Sequence, residues 1–161
     1  LERVDMRLGQ LHRQVPKGTL IVVIADHGMA TADQGDEARI DMALDPVLQQ
    51  GVRLVGGEPR ATMLYAQDGV DAESIAERWR ARLGDRAWIR TKQQVIDCGL
   101  LGPMRPDVPE MLGDVFVYAA RENTIVDTRS QTEGATRMPG VHGSQTMMEM
   151  DVARASSTLV D

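Results

Sequence analysis

The segment TLIVVIADHGM, residues 19–29, carries the clearest indication of the fold class. Its first part, Thr19–Ala25, is an uninterrupted apolar run rich in Ile and Val. Such a run predicts a strand of a parallel sheet that is buried on both faces. Open α/β sheets bind ligands at the carboxyl ends of their strands, so Asp26 and His27 lie where a site is expected. Gly28 permits the sharp turn that such a presentation needs.

A helix is predicted before this strand, over about residues 1–15. Four apolar residues recur there at intervals of four, three and four: Val4, Leu8, Leu11 and Val15. Pro16 and Gly18 end the helix, and the helix–strand order is typical of an α/β sheet. The chain opens on Leu1 with neither an initiator Met nor a signal peptide, and we expect it to be part of a longer protein.

Downstream, the sequence predicts a mixture of strands and helices. Strands are expected over five ranges: 52–56, 62–66, 87–91, 114–120 and 124–126. A short helix is expected between residues 39 and 48. Asp71 and Thr91 are predicted to cap the helices that follow them. Residues 52–113 are interpreted as a small α+β subdomain inserted in a larger sheet.

The composition excludes several classes of protein. With 161 residues, 42% apolar and 26% charged, the chain suffices for one domain with a core and is not disordered. No run approaches the roughly 18 apolar residues of a membrane helix. The net charge of −6 argues against nucleic acid as the main partner. The single cysteine, Cys98, excludes a disulfide framework and fits a reducing compartment such as the cytoplasm.

One arginine-rich stretch, residues 78–90, contains Trp79 and Trp88, a combination also found in nucleic-acid-binding segments. Trp79, however, shares the apolar face of the predicted helix with Ile75 and Leu83. Acidic residues also interleave with the arginines. We therefore interpret this stretch as a solvated helix face.

Asp26 and His27 form the first candidate site. Carboxylate oxygen and imidazole nitrogen are common ligands of zinc and similar divalent ions. The alternative is that Asp26 caps the next turn and His27 hydrogen-bonds locally. Spacing alone favours this alternative.

His142 is the second candidate, because it lies between Gly140 and Gly143 at the end of a predicted loop, residues 127–140. The glycines allow the backbone to carry an imidazole into a crowded site, whereas the alternative is a solvated loop histidine. The remaining histidine, His12, is interpreted as a surface residue of the first helix. After His142, Thr146-x-x-Glu149 predicts a capping box.

Residues 19–29, taken with Gly140-Val141-His142-Gly143-Ser144, resemble the later part of the alkaline phosphatase superfamily. The most similar branch is the type I phosphodiesterase/nucleotide pyrophosphatase group, and the resemblance covers residues 1–29 and 139–152. It implies that residues 1–161 are the carboxyl-terminal portion of such a domain. The implied fold is α/β, a partial alkaline-phosphatase-like three-layer αβα sheet with the inserted subdomain at about residues 52–113.

The resemblance also implies a hydrolase with two divalent metal ions, usually zinc, acting on a small phosphate ester or nucleotide. Asp26 and His27 match the adjacent pair that binds the metal beside the nucleophile. His142 matches the histidine on the second metal, which activates the hydrolytic water.

The sequence also departs from the family pattern. Two zinc ions need roughly six side chains, and this chain offers three. The family's nucleophilic Thr or Ser and its Asp-x-x-x-His pair precede the Asp-His motif, and residues 1–25 contain no such pair. We therefore expect the nucleophile upstream of residue 1 and no turnover by this chain alone. Ser144 and Thr31 are alternative nucleophiles, although no Gly-x-Ser-x-Gly elbow marks either.

Two other interpretations stay open. The first is a non-catalytic domain that keeps the fold and at most a weak metal or ligand site. The second remains within the superfamily, as a phosphomonoesterase, phosphonate hydrolase or sulfatase relative.

Overall fold

The computed structural model describes residues 1–32 and 35–158 and has a mixed α/β fold, the class that the sequence predicts. Its strands are β1 Leu20–Ile24, β2 Ala30–Thr31, β3 Arg39–Asp41, β4 Val52–Glu58, β5 Ala61–Ala66, β6 Ala87–Thr91, β7 Val115–Ala119, β8 Thr124–Val126, β9 Gly140–Val141 and β10 Arg154–Thr158. Its α-helices are α1 Glu2–Gln14, α2 Pro46–Gln49, α3 Ala72–Leu83, α4 Lys92–Asp97, α5 Val108–Met111, α6 Glu133–Thr136 and α7 Met147–Met150. None of the helices in these ranges is long and apolar enough to cross a membrane.

The chain forms two compact units. The first combines residues 1–27 with the described residues from 151 onward, and the second spans Gly28–Met150. The assignment of residues 52–113 to an inserted subdomain stays a prediction.

In the first unit, α1 and β1 lie where the sequence predicts them, but the predicted surroundings of β1 are wrong. Instead of pairing in parallel, β1 pairs antiparallel with β10, from Leu20 opposite Thr158 to Ile24 opposite Arg154. Its apolar side chains are largely exposed, Ile24 by 65%. A strand is buried on both faces only when layers cover both, and the described residues of this unit do not cover both faces of β1. The strand β10 was not predicted, since residues 154–161 carry no clear pattern, and residues 159–161 lie outside the described residues.

The second unit is built on a four-stranded antiparallel sheet with the order β4-β5-β7-β6. Its core forms between this sheet and α3, because α3 presents the apolar face that the sequence predicts. Trp79 is completely buried there, and its indole N–H donates to the carbonyl oxygen of Leu48 (3.0 Å). On the outer side of α3, Arg80 pairs with Glu73 and Arg82 with Asp45, which supports the interpretation of a solvated face.

The predicted caps are confirmed. The Asp71 carboxylate accepts a hydrogen bond from the amide of Ser74, and Thr91 forms a reciprocal capping box with Gln94. Elsewhere the structure departs from the predictions. Where a helix was expected between residues 39 and 48, the structure has β3, a 3-10 turn and then the single turn of α2. The predicted loop 127–140 contains the short helix α6.

Candidate functional site

Asp26 and His27 follow β1 directly and contact each other. The Asp26 Oδ1 accepts a hydrogen bond from the His27 backbone N–H (3.0 Å), and Asp26 Oδ2 lies 3.9 Å from His27 Nε2. The Asp26 side chain is 90% exposed and that of His27 is 38% exposed. The carboxylate and the imidazole therefore lie side by side, as the metal-ligand interpretation requires. The hydrogen bond from His27 N–H to Asp26 is local, as the alternative interpretation requires.

Gly28, the third residue of the motif, is held against the chain segment that follows His142. Its N–H donates to the carbonyl oxygen of Glu149 (2.8 Å). An ideal Cβ at this position would lie 2.0 Å from the carbonyl oxygen of Met148. Glycine is therefore needed here for close backbone approach.

We expect Gly28→Ala to lower the free energy of unfolding by about 1–3 kcal/mol, because the added methyl forces the two backbone segments apart. Gly134→Ala is the matched control, since a Cβ at Gly134 meets nothing within 4 Å and Ala favours a helix. Urea unfolding of both variants checks this. Equal stability of the two variants would show that the close approach is not needed.

Two short strands bring the motif segments together within the second unit. The strand β2 begins two residues after Gly28, and β9 ends immediately before His142. Three backbone contacts join the segments: Ala30 pairs with Val141, Thr31 pairs with Gly140, and the Ala32 N–H donates to the carbonyl oxygen of Pro139 (3.0 Å). The next pair in the same antiparallel register is Met29 and His142. Segments about 110 residues apart in sequence thus meet at the position of the second candidate histidine.

His142 itself is half-buried, and the residue after it has a conformation that favours glycine. Gly143 has φ +114°, and an ideal Cβ would lie 3.0 Å from the Cβ of Ala61. The glycine on this side of His142 is therefore required both by the backbone angle and by the space available.

Ser144, one of the two alternative nucleophiles, makes a buried structural contact. Its hydroxyl donates to the carbonyl oxygen of Ala119 (2.6 Å), and the residue is only 4% exposed. The hydroxyl is therefore committed to a buried contact. The other alternative, Thr31, lies in β2 and is exposed.

The predicted capping box at Thr146 and Glu149 is wrong. The Thr146 hydroxyl donates to the Glu149 carboxylate instead, and Glu149 N–H donates to the Thr146 carbonyl oxygen (3.0 Å). The carboxylate is buried and pairs with Arg60, 89 residues away. A buried cation provides a stronger partner for the carboxylate than a helix terminus does.

The sequence patterns indicated neither Arg60 nor the pairing of Glu149 with it. Arg60 follows Pro59 in the turn between β4 and β5, where an arginine is ordinarily solvated. Neither residue carries a local pattern that indicates a partner so distant in sequence. Glu149 was recognised only as a possible cap.

The donor chemistry of the three predicted ligands fits a divalent metal such as zinc. Asp26 and His27 belong to the first unit and His142 to the second, so their assignment to one site stays a prediction. Within residues 1–32 and 35–158, no group of three or more His, Cys, Asp or Glu side chains is placed to hold a metal ion. The assignment of Asp26, His27 and His142 as metal ligands also stays a prediction.

The fold and the two motifs together define the class of protein. It is a mixed α/β chain with an Asp-His pair after one strand and a glycine-flanked histidine after a later loop. The family model of type I phosphodiesterase / nucleotide pyrophosphatase matches residues 1–145. The chain belongs to this family, and the resemblance seen in the two motifs is confirmed. No curated protein matches the sequence significantly.

Solved structures with similar folds include two ectonucleotide pyrophosphatases / phosphodiesterases and a phosphonoacetate hydrolase. Human ectonucleotide pyrophosphatase / phosphodiesterase 5 has a TM-score of 0.65 at 14% identity, covering 96% of this chain and 39% of its own. Phosphonoacetate hydrolase from Sinorhizobium meliloti 1021, in complex with phosphonoacetate, has a TM-score of 0.69 at 20% identity, covering 94% and 38%. An inactive murine ectonucleotide pyrophosphatase / phosphodiesterase 5 in complex with AMP has a TM-score of 0.61 at 14% identity, covering 93% and 38%. The chain therefore spans about two fifths of the length of these proteins.

Proposed function

We propose that this chain contributes part of the active site of a metal-dependent hydrolase that cleaves phosphodiester or nucleotide pyrophosphate bonds. The observation that carries the proposal is the pairing of β2 with β9, which joins the segment after the Asp-His pair to the segment that ends at His142. Family membership supports the same reaction class.

In this proposal, Asp26 and His27 bind one metal ion and His142 contributes to a second. Zinc is the expected metal because the donors are one carboxylate and two imidazoles. Bound divalent ions polarise phosphoryl oxygens and lower the pKa of a coordinated water or nucleophile. The remaining ligands and the nucleophilic Thr or Ser are expected to come from a part of the protein outside these 161 residues.

The substrate class is a small phosphate ester or nucleotide. Two metal ions would neutralise the charge of such an anion, which is needed because the chain itself carries a net charge of −6. The similar structures hold phosphonoacetate in one case and AMP in another, so a phosphonate is the alternative substrate within the superfamily.

A non-catalytic domain is the second candidate function. It is favoured by one observation, namely that the described residues contain no group of three ligand-type side chains placed around one point. In that case the motif glycines would serve only the close packing seen at Gly28 and Gly143.

The proposal is tested with the protein expressed from its full coding sequence. We expect it to hydrolyse bis(p-nitrophenyl) phosphate, to lose this activity when a chelator removes bound metal, and to regain it with zinc. p-Nitrophenyl phosphate, phosphonoacetate and p-nitrophenyl sulfate, assayed in parallel, distinguish the reaction classes of the superfamily. If metal analysis shows that all bound metal has been removed and the activity persists, metal dependence is contradicted. If the protein hydrolyses none of the four substrates, the non-catalytic domain is favoured.

A further inference from the structure

We infer that Arg60 and Glu149 are positioning residues for His142, because their buried ion pair holds the loop that carries this histidine. The inference rests on the proposed function for the role of His142 in the reaction. Its structural content concerns only residues of the second unit.

Arg60 is completely buried, and its guanidinium donates four hydrogen bonds. Its Nε and Nη2 donate to the two carboxylate oxygens of Glu149 (2.7 and 2.9 Å). Its Nη1 donates to the carbonyl oxygen of Asn123 (2.7 Å), and Nη2 also donates to that of Ala119 (3.1 Å). The guanidinium thus joins Glu149 to the end of β7 and to the segment before β8.

Glu149 in turn binds the loop that follows His142. Its Oε1 accepts a hydrogen bond from the backbone N–H of Ser144 (2.9 Å), and its Oε2 accepts one from the hydroxyl of Thr146. The carboxylate therefore closes the segment 144–149 into a compact turn. Because all these contacts converge on one side chain that is 3% exposed, the turn has a single well-defined arrangement.

His142 lies between two fixed points of this arrangement. On one side, Val141 is buried and pairs with Ala30 in the β2–β9 sheet. On the other side, Ser144 is held by Glu149 and by the carbonyl oxygen of Ala119. Gly143 is the one residue between His142 and the second anchor, and glycine is the most flexible residue type. The position of the imidazole therefore depends on the anchor at Ser144.

The type of interaction supports positioning rather than stability alone. A buried ion pair is often no more stabilising than apolar residues of similar volume, because both charges must be desolvated. A bidentate arginine–carboxylate contact instead fixes distance and orientation. An ion pair at this place thus supplies geometry to the loop that an apolar contact would not supply.

The test compares Glu149→Gln with Asp127→Asn in the metal-free full-length protein. Asp127 is the matched control, because it is also a buried carboxylate in a bidentate pair, with Arg129 (2.8 and 2.6 Å), in the same unit. The readouts are the amide hydrogen exchange of Ser144 and the imidazole NMR signals of His142, identified by their loss in His142→Ala.

We expect Glu149→Gln to speed exchange at Ser144 by at least about tenfold and to shift or broaden the His142 signals. Asp127→Asn should leave both readouts as in the wild type. Arg60→Lys keeps the charge but loses the bidentate contact, so it should produce the same changes as Glu149→Gln and replaces that variant if it does not fold. Unchanged Ser144 exchange and His142 signals in the Glu149 or Arg60 variant, or equal changes in Asp127→Asn, would overturn the inference.

A zinc titration of the same proteins separates this inference from the proposed function. If the wild type binds zinc and hydrolyses phosphodiesters, Glu149→Gln should weaken one of the two metal sites by about 10–100-fold. A wild-type protein that binds no zinc would contradict the proposed function, whereas the metal-free readouts would still decide whether the pair positions His142.

Discussion

Replacing His142 or His27 with Ala is expected to lower phosphodiester hydrolysis by the full-length protein more than about a hundredfold. Loss of a group that only orients a metal ligand already costs about 10–100-fold, so loss of a ligand itself should cost more. The effect should appear in kcat, because in the proposed function the metal ions held by these residues would stabilise charge that develops in the transition state. Steady-state kinetics with bis(p-nitrophenyl) phosphate, together with metal analysis, measures both.

The matched control for these two variants is His12→Ala. It makes the same substitution in α1, at a half-buried histidine that no proposed metal site includes. We expect its kcat to stay within about twofold of the wild-type value. Wild-type activity in both His27→Ala and His142→Ala would contradict the assignment of the two histidines as ligands.

Replacing Glu149 with Ala should cause the largest loss of stability, about 3–5 kcal/mol in the free energy of unfolding. The variant leaves the guanidinium of Arg60 fully buried without its counter-charge and removes the acceptor of the Ser144 amide. In contrast, Asp107→Ala breaks an ion pair with Arg105 that is exposed on both sides, and it should cost no more than about 1 kcal/mol. Urea unfolding of the two variants gives the comparison.

A double variant shows whether the loss comes from an unpaired charge. Replacing Arg60 with Met and Glu149 with Leu removes both charges and keeps the side-chain volume nearly constant. We expect it to recover part of the stability lost in Glu149→Ala, because no charge stays buried alone, whereas the Ser144 amide and the Asn123 carbonyl oxygen still lack their partners. A loss below about 1 kcal/mol in Glu149→Ala would contradict the buried pair itself.

The same carboxylate gives the stability a pH dependence. Burial alone raises the pKa of Glu149, but hydrogen bonds from Arg60, Thr146 and Ser144 outweigh burial and hold this pKa below the usual value of 4.5. A carboxyl group with a lowered folded-state pKa contributes stability above its unfolded pKa and loses it as the pH falls through the folded pKa. Between pH 7 and pH 3, the unfolding free energy of Glu149→Gln should therefore fall less steeply than that of the wild type.

Sequence reasoning succeeded where the signal was local. The helix α1 follows from the spacing of its apolar residues, and the caps at Asp71 and Thr91 involve partners three residues away. The two motifs were sufficient for the family to be recognised. Such features can be predicted because residues close in the chain meet whatever the rest of the fold does.

Two further predictions failed over contacts between distant segments. The sequence of β1 is that of a strand buried on both faces, yet β10 is its neighbour in the described residues, and they pair antiparallel. Glu149 has the spacing of a capping residue after Thr146, yet it pairs with Arg60. In both cases a local pattern was correct about the residue type and wrong about the partner.

Local patterns were thus enough to predict the fold class and two helix caps, and they nominated Asp26, His27 and His142 as ligands, which stays a prediction. The pairing of β2 with β9 and the contact of Arg60 with Glu149 could be seen only in three dimensions. The physical reason is that backbone pairing and burial of charge depend on which distant segments come together. The free energy of a strand pair or a buried ion pair depends on both partners, and partners that are distant in sequence leave no regular spacing in the chain.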